Sequence, residues 1–569
     1  MKKLFLIGLL GVFMFASCYE DKGNYEYSQA LVVTGNNGVS GVYPKNNAAI
    51  IGERYTFYPP LTFSNYVDPS DTLDENLEYT WVCASNTTMF MDTLCVGKVL
   101  DWVCDRMIDY LNVYLHVKEK KTGVEYRFLL QLYPQSKVSK GYAFLHSYGG
   151  KTDMSFIRPY WEAVPDPNDP TAKINTRFYE LNKNFLSLAN PLGTGTNPKT
   201  MCWYGNDEEA RIVIVQDECY TIDGATWKHD MDLRSEFAGG FPSSPVKYHY
   251  FISGASFIHT EDGKVYRREN YNGSQAQGEY IEFYPQAYPN VPLMHVDNGQ
   301  DMVIETFLPQ STAWLGNCFC AYDKVNGRML YTPGGSGNRN TGNIFYPPVE
   351  KAKLKEAQFK SEQDIERYVD LANMGDWEMV IGGDKGISDG ENKSNQLFLL
   401  KNKTTGEMLV EMVRVTQIDY YTDPQYSPVY DAIQVLKWPE EVVGATADMI
   451  NENTVLYFLE GRKGANYMFF AKENKIYVWD FDSHHIYLYY EYPAGVTAKF
   501  MYPNPQESEL GVYSSDNKFR TLHIKAEMIN NSDFASKVVP GSEIELTDVV
   551  AMKYFYPTMV IGYSIMKED

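Results

Sequence analysis

The densest group of side chains that could bind a metal ion lies in one short segment and comprises Asp480, Asp482, His484 and His485. Imidazole nitrogens and carboxylate oxygens together form many zinc and iron sites. Asp480 and Asp482 would share one face of a strand, because side chains two residues apart point the same way. The competing interpretation is a polar turn at a strand end. We predict no metal site here, and Asp480, Asp482 and His484 are the residues that would supply one.

A second candidate site is aromatic and runs from Asp419 to Tyr430. Its tyrosines do not alternate with period two, and Pro424 and Pro428 favour a loop. Exposed tyrosine rings stack on the C–H faces of sugars, while carboxylates accept hydrogen bonds from sugar hydroxyls. We therefore predict ligand binding by Tyr421, Tyr426 and Asp423. The alternative is that these rings pack against neighbouring strands.

A third group of oxygen ligands occupies a glycine-rich segment and comprises Asp384, Asp389, Glu391 and Asn392. Such ligands suit calcium, but their spacing does not match that of an EF-hand loop. A solvated acidic loop is the better interpretation.

Nucleotide-binding and protease motifs are absent: the chain has no P-loop, no G-x-G-x-x-G and no H-E-x-x-H. Its net charge of −22 argues against nucleic acid, because phosphate binding requires clustered Lys and Arg. We predict no catalytic residue and no cofactor. The enzymatic alternative is a propeller glycoside hydrolase or lyase, in which two carboxylates about 5–9 Å apart flank the scissile bond.

The first 17 residues have the layout of a secretory signal: Lys2 and Lys3, then an apolar run from Leu4 to Phe15, then small residues. Cys18 follows directly and resembles the lipidated cysteine of a bacterial lipobox. Lipid chains on Cys18 would anchor the protein to a membrane without spanning it. The alternative is an ordinary signal peptide followed by a chance cysteine.

An acidic tether, residues 18–27, follows with the sequence Cys-Tyr-Glu-Asp-Lys-Gly-Asn-Tyr-Glu-Tyr. It resembles the mature N-terminus of the PKD-like family lipoproteins of the Bacteroidetes. That resemblance implies export to the cell surface, an outer-membrane location and SusC/SusD-like outer-membrane partners. We therefore predict a non-catalytic surface lipoprotein that binds a nutrient, in the first place a glycan, for such an uptake system. Capture of a metal chelate is the other binding hypothesis.

The chain is predicted to be mainly β, with two domains after the tether. Residues 28–137 contain alternating strands and one strand-borne tryptophan, Trp81, as in an immunoglobulin-like sandwich. The Tyr-x-Trp strand and the Thr-Gly hairpin of this domain also resemble the PKD-like family. We predict that Trp81 is a core residue.

Residues 138–569 are predicted to form a β-propeller of about seven blades, because strand–turn–strand units recur at intervals of about 60 residues. The turns are predicted at Gly149-Gly150, Asp262-Gly263, Asn326-Gly327, Thr405-Gly406, Glu473-Asn474 and Asp516-Asn517, among others. A second pair of sandwich domains is the alternative. The segment from Lys351 to Asn373 is predicted to be an inserted helix.

The seven cysteines after Cys18 cannot all pair within one chain. Export permits disulfides. Proximity in sequence favours Cys83–Cys95 or Cys202–Cys219.

The aromatic segment gives a first testable prediction. A Tyr421→Ala, Tyr426→Ala double variant should bind its glycan more weakly without melting at a lower temperature. Each stacked ring contributes about 0.5–1.5 kcal/mol, so two rings change the dissociation constant roughly five- to a hundredfold. A glycan panel identifies the ligand, and the corresponding Phe double variant, which keeps both rings, is the control. A large drop in melting temperature would show that the rings belong to the core.

Overall fold

The structure is a computed structural model that describes residues 31–36, 38, 41–44, 47–50, 53–64, 75–84, 91–104, 111–135, 140–165, 173–204, 211–224, 227–252, 255–269, 288–289, 292–295, 302–308, 318–333, 344–387, 394–419, 427–459, 467–504, 508–529 and 531–555. The described residues up to Pro134 form one compact unit, and those from Gln135 onward form a second. The prediction of a mainly β chain is confirmed. No helix in the described ranges is long and apolar enough to cross a membrane.

The first unit consists of short antiparallel strands. They are β1 (Val32–Thr34), β2 (Ala48–Ile50), β3 (Arg54–Phe57), β4 (Thr62–Ser64), β5 (Leu77–Ala84), β6 (Met91–Val96), β7 (Leu100–Val103), β8 (Leu111–Glu119) and β9 (Glu125–Gln135). The main sheet has the order β2-β9-β8-β5-β6, and β1 pairs with β4 while β3 pairs with β7.

Trp81 is the central core residue of this unit, as predicted. Its side chain is 0 % exposed. The indole Nε1 donates a hydrogen bond to the carbonyl oxygen of Gly97 at 3.1 Å, so the polar edge of the ring is satisfied. The ring of Phe57 meets it edge-on with centroids 6.1 Å apart.

The second unit contains seven antiparallel sheets among its described residues. Sheet 1 begins with β10 (Gly141–Tyr148), β11 (Lys151–Pro165) and β12 (Lys173–Asn182); sheet 2 has β13 (Thr200–Tyr204), β14 (Arg211–Val215), β15 (Tyr220–Asp223) and β16 (His229–Asp232). Along the chain, sheet 2 is followed by the short strand β17 (Phe237–Ala238). Sheet 3 then has β18 (Val246–Ile252), β19 (Ala255–Thr260) and β20 (Val265–Glu269). Next come β21 (Tyr288–Pro289) and β22 (Met294–His295), then sheet 4 with β23 (Ile304–Leu308), β24 (Cys318–Asp323) and β25 (Arg328–Pro333), then β26 (Ile344–Phe345).

The last three sheets have four strands each. Sheet 5 has β27 (Trp377–Ile387), β28 (Ser394–Asn402), β29 (Met408–Asp419) and β30 (Ser427–Trp438); sheet 6 has β31 (Val455–Phe458), β32 (Tyr467–Lys472), β33 (Lys475–Asp480) and β34 (His485–Glu491). Sheet 7 has β35 (Ala498–Pro503), β36 (Glu509–Ser514), β37 (Lys518–His523) and β38 (Ile544–Glu545). The final strand, β39 (Val549–Phe555), returns to sheet 1 and pairs antiparallel with β10.

Each sheet of this unit buries both faces, and each face packs on a different neighbour. The reason is that the strands inside the sheets contain consecutive apolar residues, whose side chains point to opposite faces of the sheet. The shared core clusters join sheets 1 and 2 (Phe156, Ile214), 2 and 3 (Val213, Ile258), 3 and 4 (Phe257, Leu330), 4 and 5 (Tyr331, Phe398), 5 and 6 (Leu399, Trp479), 6 and 7 (Phe469, Val512), and 7 and 1 (Tyr513, Phe144).

The predicted hairpin turns join the expected strands. Gly327 lies between β24 and β25 with φ 58°, and Gly406 lies between β28 and β29 with φ 76°. Both angles belong to the left-handed region, which glycine adopts without a Cβ clash. The turn chemistry therefore located these hairpins correctly.

The predicted inserted helix from Lys351 to Asn373 is wrong as a single element. The segment contains two 3-10 turns, Lys351–Lys353 and Glu356–Gln358, and the short helix α2 (Glu362–Arg367), while α1 (Phe185–Ala189) lies earlier in the chain. Extended backbone at Leu354 and Lys355, with ψ near 143° and 145°, interrupts the helical pattern. Ser361 then caps α2 by accepting a hydrogen bond from the Asp364 backbone N–H.

Trp81 yields a stability prediction. Trp81→Ala should lower the free energy of unfolding of the first unit by roughly 3–5 kcal/mol, because it empties an aromatic core position. Calorimetry of the mature chain would show one transition moving to lower temperature. The matched control is Trp161→Ala in the second unit, since Trp161 is 61 % exposed. An unchanged thermogram for Trp81→Ala would contradict the assigned core.

His259 yields a pH prediction. It is buried in sheet 3, and its Nε2 donates to the carbonyl oxygen of Ile304 in sheet 4 at 2.8 Å. Burial lowers the pKa of His259 from 6.5 to about 4. Below pH 6.5 the unfolded chain therefore takes up a proton that the folded chain refuses, and folding stability falls until the pH reaches about 4.

The loss attributable to His259 should be on the order of 3 kcal/mol across that window. Urea unfolding at several pH values, compared between the parent and His259→Gln, isolates this contribution. The control His485→Gln removes a partly exposed histidine of another sheet and should leave the contribution of His259 in place. Identical slopes for the parent and His259→Gln would contradict the assignment.

Candidate functional site

The predicted metal candidates form a turn. Asp480 ends β33, and its Oδ1 accepts hydrogen bonds from the backbone N–H groups of Asp482 at 3.0 Å and Ser483 at 3.4 Å. Its Oδ2 accepts from the Ser483 hydroxyl at 2.7 Å. His484 has φ 52° and approaches Gln434, with 3.1 Å between His484 Nε2 and Gln434 Nε2. These contacts match the competing interpretation, a polar turn at a strand end.

Across the described ranges, no three His, Cys, Asp or Glu residues come close enough together to bind a metal ion. Asp384, one of the proposed calcium ligands, lies on β27 opposite Gln396 rather than in a loop. Residues 389, 391 and 392 lie outside the described residues.

The predicted sugar-binding residues Tyr421, Asp423 and Tyr426 also lie outside the described residues. The surrounding prediction of a loop up to Tyr430 is wrong at its end, because β30 begins at Ser427 and Pro428 lies opposite Ile418 in the ladder. Tyr430 is buried, with its hydroxyl oxygen 3.3 Å from that of Tyr331. Pairing with β29 therefore overrides the loop signal of Pro428.

Neither predicted disulfide is present. Cys83, Cys95, Cys202 and Cys219 are thiols in the structure. In the antiparallel ladder Cys83 lies opposite Asp92 and Cys95 lies opposite Trp81, so the two cysteines are not a cross-strand pair. Cys18, the predicted lipidation site, lies outside the described residues.

A different group of side chains forms the best candidate site, and we call it the inner-strand cluster. It comprises Tyr457 of β31, Tyr502 of β35, Lys553 of β39 and Cys202 of β13. These four strands belong to sheets 6, 7, 1 and 2, and each contacts the next. The rings of Tyr457 and Tyr502 meet edge-on with centroids 5.0 Å apart. Lys553 Nζ lies 5.2 Å from the centroid of the Tyr502 ring.

Lys553 is the charged member of the cluster. Burial lowers the pKa of its ammonium group, and the nearby Cys202 opposes part of that shift. The side chain nevertheless keeps some solvent-accessible surface. The ammonium group is thus desolvated without being sealed from solvent.

No carboxylate in the described part of the chain forms an ion pair with Lys553, and its cationic contact is the face of Tyr502. A tyrosine face attracts a cation, but more weakly than a carboxylate at the same depth does. The cluster thus combines two aromatic rings with a cation whose ion-pairing capacity is unused.

Arg177 of β12 is a cation of the same unit that does have a carboxylate partner. Its guanidinium forms an ion pair with Glu509 of sheet 7, and it lies 5.7 Å from the ring centroid of Trp161 and 5.5 Å from that of Tyr179. Burial raises the pKa of Glu509, and the positive charge of Arg177 opposes that shift. This pair joins sheets 1 and 7, so Arg177 already has a carboxylate partner within the protein.

Sequence reasoning missed Lys553. The strand Val-Val-Ala-Met-Lys-Tyr-Phe reads as an apolar strand with one exposed polar residue. The signal that points to it is a single cation in the middle of a run whose neighbours Met552 and Tyr554 are both buried.

Comparisons with known proteins give one family match and several distant structural similarities. The PKD-like family model matches residues 18–183. No curated protein matches the chain. A quinonprotein alcohol dehydrogenase-like protein from Bacteroides thetaiotaomicron is 10 % identical, with 92 % of this chain and 99 % of that chain covered and a TM-score of 0.36.

Two further solved structures are similar at the same distant level. A DUF4784 family protein from Bacteroides caccae is 9 % identical, with 93 % of this chain and 99 % of that chain covered and a TM-score of 0.26. The dihydro-heme d1 dehydrogenase NirN is 8 % identical, with 87 % of this chain and 78 % of that chain covered and a TM-score of 0.34.

Proposed function

We propose that this chain is a non-catalytic, lipid-anchored protein of the outer-membrane surface that binds a glycan nutrient for a SusC/SusD-type uptake system. The observation that carries the proposal is the PKD-like family match over residues 18–183. It begins at Cys18, the residue that the signal-peptide pattern marks for lipidation. The acidic tether that follows Cys18 supports export to the cell surface.

We further propose that the seven sheets are the blades of one β-propeller. Three observations support this arrangement: every sheet is buried on both faces, sheets 7 and 1 share a core cluster, and β39 pairs with β10. In a propeller the strands that carry the inner-strand cluster line the central channel. Rigid blades hold such a channel open for a ligand at little cost in conformational entropy.

The inner-strand cluster supports binding rather than hydrolysis. In such a propeller the inner strands are β39 of sheet 1 and the first strand of each of sheets 2 to 7. These described strands carry three acidic residues, Glu305, Glu378 and Asp384. Glu305 forms an ion pair with Lys324, with 3.7 Å between Glu305 Oε1 and Lys324 Nζ. A glycosidase requires two carboxylates on opposite sides of one bond. Aromatic rings beside one cation are instead the composition of a saccharide-binding surface.

The anchor has a direct test. Cys18→Ala should release the protein from the membrane fraction, because the thiol to which the lipid would be attached is lost. Fractionation of expressing cells and metabolic labelling with an alkyne fatty acid measure this. Cys202→Ala, which removes a thiol elsewhere in the chain, is the control and should stay membrane-bound. Membrane retention and labelling of Cys18→Ala would contradict the proposal.

The partners need a separate experiment. An affinity tag placed after residue 569 should co-purify a SusC- or SusD-like protein from detergent-solubilised membranes of the native host. A tagged Cys18→Ala chain is the matched control, because it lacks the proposed lipidation site. Repeated recovery of the anchored chain without such a partner would contradict this part of the function.

A further inference from the structure

Lys553 occupies an unusual position for a cation. It lies in the middle of β39, which pairs with β10 and with no other described strand, and it is opposite Ala143. The backbone is thus fixed on one side, while the other side faces the neighbouring inner strands β35 and β13. Its Nζ lies beside the ring of Tyr502, and the Tyr457 ring extends the aromatic surface. The fold therefore holds one positive charge at a fixed place beside two rings.

Three other desolvated cations of the unit each bond at least one oxygen of the protein. Lys537 donates to the carbonyl oxygen of Tyr489 at 2.7 Å. Arg268 forms a buried ion pair with Glu236. Arg520 bonds Asp516 and Glu543, each at 2.8 Å. Desolvating a charge is unfavourable unless an opposite charge or hydrogen bonds compensate. Lys553 departs from this pattern, since neither a carboxylate nor a carbonyl oxygen of the described residues bonds its ammonium group.

The negative net charge of the protein bears on which ligands the site around Lys553 can bind. A protein of net charge −22 repels anions at long range. An anionic ligand can therefore bind only where a cation is presented at short range, beyond the reach of the repelling surface charges. Lys553 meets that requirement, and each of the two tyrosine rings adds an apolar face of the kind on which a sugar ring packs.

We propose that the inner-strand cluster binds an acidic saccharide, with its anionic substituent on Lys553 and its ring against Tyr457 and Tyr502. This inference rests on the proposed glycan-binding function and names the class of glycan. The anionic group is a carboxylate, as in a uronic acid, or a sulfate ester. Both have oxygen acceptors of the geometry that an ammonium group takes.

The experiment is isothermal titration of the full mature chain with three probes: trigalacturonate, a sulfated disaccharide and neutral maltotriose. We expect an anionic probe to bind, with an affinity that falls as ionic strength rises, and the neutral probe to bind far more weakly. Binding by trigalacturonate alone assigns a carboxylate, and binding by the sulfated probe alone assigns a sulfate ester. Equal binding of neutral and anionic probes would overturn the inference while leaving glycan binding intact.

Variants locate the site. Lys553→Met should weaken binding of the anionic probe roughly thirtyfold or more, the loss typical of removing one member of a desolvated ion pair. Lys553→Arg should retain most of the affinity. The matched control is Lys499→Met: Lys499 also lies over a tyrosine ring, 5.8 Å from Tyr513, but is exposed. Loss of binding in Lys499→Met but not in Lys553→Met would overturn the assignment.

A measurement on the parent chain avoids any dependence on variant folding. Acetylation of lysines, read by mass spectrometry, should modify Lys553 in the free protein and spare it when the anionic probe is bound. Unchanged acetylation of Lys553 under saturating probe would overturn the inference. Membrane anchoring and partner recovery do not involve Lys553, so their failure and this failure are told apart.

Discussion

Burial of both faces of every sheet is the constraint on which the second unit depends. A strand such as Leu397–Leu400 sends Phe398 into the core shared with sheet 4 and Leu399 into the core shared with sheet 6. No sheet is then stable alone, because each needs a neighbour on either side to cover its apolar area. Each sheet is covered in this way by the sheets before and after it in the chain. The first and the last, sheets 1 and 7, cover each other through the cluster that contains Phe144 and Tyr513.

Polar contacts also connect neighbouring sheets that pack in this way. His259 of sheet 3 donates to a backbone oxygen of sheet 4, and Arg177 of sheet 1 pairs with Glu509 of sheet 7. His259 and Glu509 are buried, so the loss of its partner would leave either side chain desolvated with fewer hydrogen bonds. Such contacts fix the register of neighbouring sheets more than they stabilise them. They also explain why Lys553, which has no such carboxylate, stands out.

Much of this fold could be predicted from the sequence, because the turns and strands depend mainly on neighbouring residues in the chain. Gly327 and Gly406 mark tight turns through backbone geometry that few other residues adopt, so the hairpins were found without knowledge of their neighbours. Trp81 was recognised because a strand-borne tryptophan in a small domain has few places other than the core. The segment from Lys351 was misjudged because helix-forming composition does not reveal where extended residues such as Leu354 interrupt it. Lys553 was missed because its environment is created by strands far away in the sequence.

The pairing of β39 with β10 also sets the order in which the chain can become complete. His146 bonds the carbonyl oxygen of Thr547, a contact between residues 401 positions apart. Bringing such distant segments together costs loop-closure entropy that no local contact repays, and topologies of high contact order fold slowly. During synthesis sheet 1 remains incomplete, with one edge of β10 unpaired, until β39 emerges. Unpaired strand edges are templates for association with other chains. The protein therefore has its greatest exposure to aggregation late in its biogenesis, when nearly all of its strands already exist.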